Sequence, residues 1–238
     1  MSWLTDGSAL WYLNRATGLV DLVLFTLVLV MGVVATARTA PRWWPRFATV
    51  SLHRWLSLLA VSLLVVHVVA AVADSYVDLN WVDVLVPFAS SYRTFWLGLG
   101  TVAFDLFAAI VVTSLLRHRI GPRTWRLVHL LAYAAWPIAV VHGLGTGSDA
   151  STLPVVVLTF ACVTAVAMAA AWRGSTLQIA WPGRLVLVVL ALALPVWLGS
   201  WAQIGPLQPD WSKRADVAPS TSLVSDLVPN LPAGQESS

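Results

Sequence analysis

Six long apolar stretches dominate the sequence and limit what the chain can fold into. They cover residues 18–37, 47–73, 95–116, 125–143, 154–172 and 185–201. A helix needs about 20 mostly apolar residues to cross a bilayer. Only 11% of the residues are charged, against about 25% in soluble proteins. The sequence therefore predicts an all-α integral membrane protein, with a six-helix transmembrane bundle over residues 18–202.

The charged residues predict the orientation of this bundle. The first, third and fifth connections and the adjoining span ends carry most of the basic residues and no acid: Arg38, Arg42, Arg46, Arg54, Arg117, Arg119, Arg123, Arg126, Arg173 and Arg184. The opposite connections carry Asp74, Asp78, Asp83 and Asp149. Lys and Arg accumulate in cytoplasmic loops. We therefore expect both termini outside the cytoplasm.

The two ends of the chain differ in composition from the spans. Residues 1–17 are predicted to form a short extracytoplasmic segment. Residues 203–238 are rich in Pro, Ser and Asp with little periodicity, which predicts a flexible extracytoplasmic tail.

Charge and cysteine content exclude several classes of function. The formal net charge is +3, but the basic residues lie in short loops between spans, so no nucleic-acid partner is expected. The single cysteine, Cys162, lies in an apolar run. It cannot form an internal disulfide, a cysteine-based zinc site or a c-type haem attachment.

Four of the five histidines lie inside predicted spans, and His118 lies in a basic loop. His53 and His67 are on the second span, and His129 and His142 are on the fourth. Ionisable groups within a bilayer are costly and are functional candidates. The second and fourth spans run in the same direction, so we expect an inner pair, His53 and His129, and an outer pair, His67 and His142. The two levels lie about 20 Å apart at 1.5 Å per residue.

Two imidazoles from facing helices suit the axial positions of a haem iron, which then passes electrons without readily binding substrate. Zinc prefers about four ligands around one ion, whereas each pair offers two histidines and no neighbouring acid. The pattern thus favours two b-type haems between the second and fourth helices. A histidine that only bonds helix to helix is the simpler alternative for any one position.

The spacing of the second pair does not fit an ideal helix. Fourteen residues turn a helix by about 1400°, so His53 and His67 share a face. Thirteen residues leave His142 well off the face of His129. Pro137 lies between them and is expected to re-phase the helix.

Four arginines are candidate partners for haem propionates. Arg54 and Arg126 lie at the inner level, and Arg15 and Arg93 lie near helix ends at the outer level. For Arg54 and Arg126, a purely topological role on the cytoplasmic side is the alternative.

Two acidic residues lie within spans. Asp105, near the middle of the third span, is interpreted as a buried carboxyl that either serves a proton or quinone site or makes a structural hydrogen bond. Asp21, near the end of the first span, is interpreted as interfacial. Trp136 is expected to pack in the core or on a haem, and the glycines after His142 to give the chain room near the outer haem.

A longer pattern resembles a known family. Residues 113–117, followed by Gly121, Trp125, Arg126, His129, Tyr133 and His142, are similar to the ferric reductase-like transmembrane domain. That superfamily includes NADPH oxidases, ferric reductases and the haem-binding subunit of a methionine-sulfoxide reductase system. The resemblance covers roughly residues 10–202.

The resemblance implies a protein of the bacterial plasma membrane in which His53 and His129 ligate the inner haem and His67 and His142 the outer haem. It also implies electron transfer across the membrane, as an oxidoreductase or one subunit of such a system. No dinucleotide fingerprint occurs, so a separate donor is expected, either a cytosolic flavoprotein or a quinol. The expected acceptor is an extracytoplasmic flavoprotein, a methionine-sulfoxide reductase or ferric iron. The alternatives are a proton or solute transporter, or a membrane anchor, with structural histidines.

Overall fold

The computed structural model describes residues 8–36, 45–74, 79–177, 180–209 and 211–215, and the regular elements in these ranges are helices. They are α1 (Ser8–Thr36), α2 (Arg46–Ala73), α3 (Trp81–Leu85), α4 (Thr94–Leu115), α5 (Arg117–Ile120), α6 (Pro122–His129), α7 (Ala132–Thr146), α8 (Leu153–Thr176), α9 (Trp181–Ile204) and α10 (Trp211–Arg214).

Six helical segments of the described chain are long and apolar enough to cross a membrane. They are α1, α2, α4, α8, α9 and the continuous segment Pro122–Thr146, which comprises α6 and α7. The predicted six spans are therefore confirmed. The first begins earlier than expected, since α1 starts at Ser8 and includes part of the predicted N-terminal segment.

The spans pack as a helical bundle whose outside is apolar. The main helix pairs are α1 with α2, α4 with α7, α8 with α9, and α1 with α8. One core cluster surrounds Trp136 and Val163, and a second surrounds Phe107 and Ala135. Many large apolar side chains of α2 and α9 are exposed. An apolar exterior suits a bilayer, because lipid tails are as apolar as these side chains and do not drive them into the interior of the bundle.

The two ends of the bundle carry different charges. The end that we call the basic end carries Arg117, Arg119, Arg123 and Arg173, and the opposite end, the far end, carries Asp74, Asp83 and Asp149. The predicted sites Arg38, Arg42 and Asp78 lie outside the described residues. At the far end, the short helix α3 begins where the Asp83 carboxylate accepts a hydrogen bond from the Asn80 N–H at 2.9 Å, an arrangement that stabilises a helix start.

The fourth span is irregular directly after His129. Leu131 N–H bonds to Val128 O, Tyr133 N–H to Leu130 O, and Ala134 N–H to Leu131 O. These i to i−3 bonds tighten the helix to about 3.0 residues per turn, or 120° per residue instead of 100°. Thirteen residues at 100° fall about 140° short of four full turns, and the tight turn reduces that deficit. Pro137 lies inside α7, and the tight turn after His129 is a second source of re-phasing that the sequence did not predict.

Part of the predicted tail packs against the bundle. Trp211 of α10 donates a hydrogen bond from Nε1 to Gly145 O at 3.1 Å, and its ring lies 5.3 Å from that of Trp96. A flexible tail therefore does not begin at residue 203. The remainder of the predicted tail, Asp210 and residues 216–238, lies outside the described residues.

We expect Trp136→Phe to destabilise the bundle by about 0.5–1.5 kcal/mol through loss of a buried hydrogen bond. The Trp136 side chain is 3% exposed, and its Nε1 donates to Thr26 Oγ1 at 3.1 Å. The measurement is the free energy of unfolding in detergent micelles titrated with a denaturing detergent. Trp172→Phe is the matched control because that side chain is 39% exposed. Equal stability of the two variants would contradict the role of this bond.

Candidate cofactor site

The four intramembrane histidines come together as the two predicted pairs. In the inner pair, the ring centroids of His53 on α2 and His129 at the end of α6 are 6.2 Å apart, with 69° between the ring planes. In the outer pair, His67 on α2 and His142 on α7 line one cavity of about 1110 Å³. Neither His53 nor His129 lines that cavity.

Three of these histidines are held by the same kind of hydrogen bond. His53 Nδ1 lies 3.0 Å from Val28 O, His67 Nδ1 lies 2.9 Å from Asn14 O, and His142 Nδ1 lies 2.8 Å from Trp96 O. A carbonyl oxygen can only accept a hydrogen bond, so each Nδ1 carries the proton. In a neutral imidazole with its proton on Nδ1, Nε2 is the atom available to a metal, and the carbonyl bond sets its orientation.

A glycine stands four residues after each accepting carbonyl. Asn14 is followed by Gly18, Val28 by Gly32 and Trp96 by Gly100. A helical Cβ points towards the preceding turn, so a Cβ at Gly18 or Gly100 would crowd the imidazole, whereas a Cβ at Gly32 would make an ordinary contact with it. A Cβ would lie 3.0 Å from His67 Cε1 at Gly18 and 3.5 Å from His53 Cε1 at Gly32.

The third glycine makes the closest approach. A Cβ at Gly100 would lie 2.6 Å from His142 Nδ1, which leaves no room for the ring in its present place. We refer to Gly18, Gly32 and Gly100 as the three notch glycines. Sequence reasoning missed them, although Gly18 and Gly32 repeat the fourteen-residue spacing of His67 and His53.

His129 departs from this arrangement. Its Nδ1 is buried and has no hydrogen-bond partner in the described chain. Its ring stacks on Trp125, with 5.1 Å between centroids and 27° between planes. The tight turn after His129 and the Trp125 ring therefore position this imidazole, in place of a backbone carbonyl.

Two of the four predicted arginines line the cavity of the outer pair. Arg15 forms an ion pair with Asp149, and Gly147 leaves it room, since a Cβ there would lie 2.7 Å from Arg15 Nη2. Arg93 is 6% exposed and donates from Nη1 to Thr146 O at 3.0 Å. Its backbone is left-handed, with φ 40° and ψ 49°, which costs a non-glycine residue roughly 1–2 kcal/mol.

The other two predicted arginines lie elsewhere. The side chains of Arg54 and Arg126 are exposed near the basic end and do not line the cavity. The structure therefore brings Arg15 and Arg93 to a cofactor-sized space and leaves Arg54 and Arg126 at the surface of the described chain.

The environments of both acidic residues differ from those predicted. Asp21 is 5% exposed and lines the cavity, so its interpretation as interfacial was wrong. Asp105 is partly exposed and does not line the cavity, so its interpretation as a buried carboxyl was also wrong. Trp136 lies in the core and lines the cavity as well. Of the glycines after His142, Gly145 makes room for Trp96 and Gly147 for Arg15.

The residues present at the outer pair fit a haem, and the ring separation at the inner pair is that of two imidazoles on one metal. At the outer pair, the cavity exceeds the 300–1,000 Å³ of ordinary ligand pockets and offers two orientated imidazoles and two cations. At the inner pair, two imidazoles bound to one metal at about 2 Å each would place their centroids about 6 Å apart, in agreement with the observed 6.2 Å.

We expect Gly100→Ala to remove one haem per chain, because the new Cβ displaces the His142 ring. Gly199→Ala is the matched control, since its Cβ would lie 3.4 Å from Phe160, an ordinary contact. The measurement is the haem-to-protein ratio of the purified variants. Unchanged haem content in Gly100→Ala would show that His142 does not need this notch.

Comparison with known proteins identifies the family. A model of the ferric reductase like transmembrane component matches residues 17–140. The match covers more than half of the chain, includes His53, His67 and His129, and ends shortly before His142. Neither a curated protein nor a solved structure matches the sequence. The chain belongs to the ferric reductase-like transmembrane family.

Proposed function

We propose that this protein carries electrons across the bacterial plasma membrane through two b-type haems. His53 and His129 ligate the inner haem, and His67 and His142 ligate the outer haem. The carrying observation is that His67 and His142 enter one large cavity with each Nδ1 bonded to a carbonyl. That geometry leaves both Nε2 atoms free for a metal.

A haem bound by two histidines supplies an iron that alternates between the ferric and ferrous states. The protein's own contribution is to fix the ligands, exclude solvent and balance charge. Each carbonyl bond fixes a ring and raises the basicity of its Nε2. The two levels on α2 are fourteen residues apart, or about 20 Å along the helix. Two haems at these levels would cover most of the thickness of the hydrocarbon core, which is about 30 Å.

The cations of the cavity match the charges that a haem brings. Arg15 and Arg93 line the cavity near the far end, where propionates of the outer haem would lie. Arg54 and Arg126 remain candidate partners of the inner propionates only because they lie near the basic end, at the level of the inner pair. Because their side chains are exposed, the general accumulation of arginines on the cytoplasmic side explains their presence equally well.

The family resemblance implies electron flow from the cytoplasmic side to the outer side, and the charge distribution indicates which end of the bundle is cytoplasmic. The arginines of the basic end mark it as cytoplasmic under the positive-inside rule. Electrons therefore enter at the inner pair from a cytosolic flavoprotein or a quinol. They leave at the far end to an extracytoplasmic flavoprotein, a methionine-sulfoxide reductase or ferric iron. Under this proposal the chain is an oxidoreductase subunit, and any flavin or quinone is brought by a partner.

One observation favours a second candidate function, transport of protons or a solute. The cavity is lined by several helices and contains the buried carboxyl of Asp21, as a transport site would require. Asp105, which the sequence offered as its main support, does not line the cavity. A haem-free protein obtained after expression with ample haem would favour this candidate.

We expect detergent-purified protein to contain two b-type haems per chain in a pyridine haemochrome assay. His53→Ala and His67→Ala should each lower the ratio to one, because each change removes one axial ligand. His118→Ala is the matched control, since that side chain is exposed at the basic end, and it should retain both haems. A ratio that both ligand variants leave unchanged would refute the assignment of the pairs.

A further inference from the structure

Asp21 has a carboxyl that is buried inside the first span. It lies three residues after the notch glycine Gly18, so it sits about 4.5 Å deeper along α1 than the level of His67. The residue is 5% exposed. Both carboxylate oxygens are buried and accept no hydrogen bond from the described residues. The side chain lines the cavity that His67 and His142 share.

Such a group needs an explanation, because burying an unpaired carboxylate in an apolar medium is very costly. The two cations of the cavity are engaged elsewhere. Arg15 pairs with Asp149, and Arg93 donates to the carbonyls of Gly145 and Thr146. A buried carboxyl relieves this cost either by binding a proton or by lying near a positive charge. The core of a ferric haem carries one net positive charge and would favour the Asp21 carboxylate, and reduction of the iron would remove that charge and favour the protonated form.

The other ionisable groups of the cavity define the field around Asp21. They are Tyr12 and Arg15 on α1, His67 on α2 with Asp74 at its end, Asp83 on α3, Tyr92 and Arg93 before α4, and His142 on α7. The contribution of α8 is Val155 and Thr159, neither of which titrates. Asp21 is therefore the deepest carboxyl in the cavity, since Asp74 and Asp83 lie at the far end.

The cavity also extends from the far end of the bundle to the level of Asp21. It extends from mid-span residues, such as Phe25 and Phe107, to Leu79 and Ser148 in the far-end connections. Polar side chains, including Asn14 and Thr146, occur along this path. Water from the far side can therefore approach Asp21, whereas the basic end contributes nothing to the cavity lining.

We propose that Asp21 is a proton-binding site coupled to reduction of the outer haem. This inference rests on the proposed function. When one electron from the cytosolic donor reduces the outer iron from ferric to ferrous, the Asp21 carboxylate binds one proton from extracytoplasmic water. When the electron leaves, that proton returns. The site then gains one negative and one positive charge together, and its net charge is unchanged.

The physical reason is the low dielectric of the bundle. Two unit charges interact far more strongly there than in water, so an added electron disfavours a nearby carboxylate and favours its neutral form. Reciprocally, a proton on Asp21 favours reduction. The chain thus places a proton acceptor beside the outer site, where charge would otherwise accumulate.

The test is a mediated potentiometric titration of the purified two-haem protein at several pH values. The outer haem is identified as the component missing from His67→Ala. We expect its midpoint potential to fall with rising pH by up to about 59 mV per unit, the one-electron value for a tenfold change. Asp21→Asn should abolish most of this slope and leave the potential of the inner haem unchanged.

Asp105→Asn is the matched control, since it removes a carboxyl from a span without touching the cavity, and it should keep the slope. A slope that persists in Asp21→Asn, or an outer potential independent of pH in the unmodified protein, would overturn the proposal. A protein without haem would instead refute the proposed function, so the two failures are distinguishable.

If Asp21→Asn fails to retain haem, a second measurement tests the proposal without that variant. The infrared difference spectrum between reduced and oxidised unmodified protein should contain the carbonyl stretch of a newly protonated carboxyl. In Asp21→Glu this band should shift in frequency because the carboxyl changes its position in the cavity. Absence of the band, or a band that does not move in Asp21→Glu, would also overturn the proposal.

Discussion

The hydrogen bond from an imidazole Nδ1 to a backbone carbonyl of a neighbouring helix is the interaction on which the site depends. Within a bilayer an unsatisfied polar group costs several kcal/mol. Three of the four intramembrane histidines avoid this cost by donating a hydrogen bond to a backbone carbonyl. The carbonyl they use lies on a helix, and a side chain on the next turn of that helix can block the approach of an imidazole. Gly18 and Gly100 leave this approach open, and at Gly32 an added Cβ would make only an ordinary contact with His53.

This interaction also fixes how the helices pair. His67 and His53 of α2 bond to Asn14 and Val28 of α1, fourteen residues apart on both helices, which sets the antiparallel register of α1 and α2. His142 of α7 bonds to Trp96 of α4 and sets the second pair. The cavity lies between these two helix pairs. The hydrogen bonds that orient the histidines therefore also position the two helix pairs between which a haem would fit.

The two levels are built differently. The outer pair has two carbonyl-bonded rings, a large cavity, two cations and a buried carboxyl. The inner pair has one carbonyl-bonded ring, while the other is stacked on Trp125 at a tight helical turn. A haem at the outer level would be surrounded by groups that control its charge and its access to protons. A haem at the inner level would lie close to the exposed arginines of the basic end.

The sequence by itself determined the six spans, the two histidine pairs and the arginines of the outer level. These follow from hydropathy, charge and spacing along single helices, which are local properties. Only the tertiary structure revealed the three notch glycines, the tight turn after His129, the burial of Asp21 and the partial exposure of Asp105. Each of these depends on which face of a helix meets a neighbour, and a nearly uniform apolar sequence carries little information about its buried face.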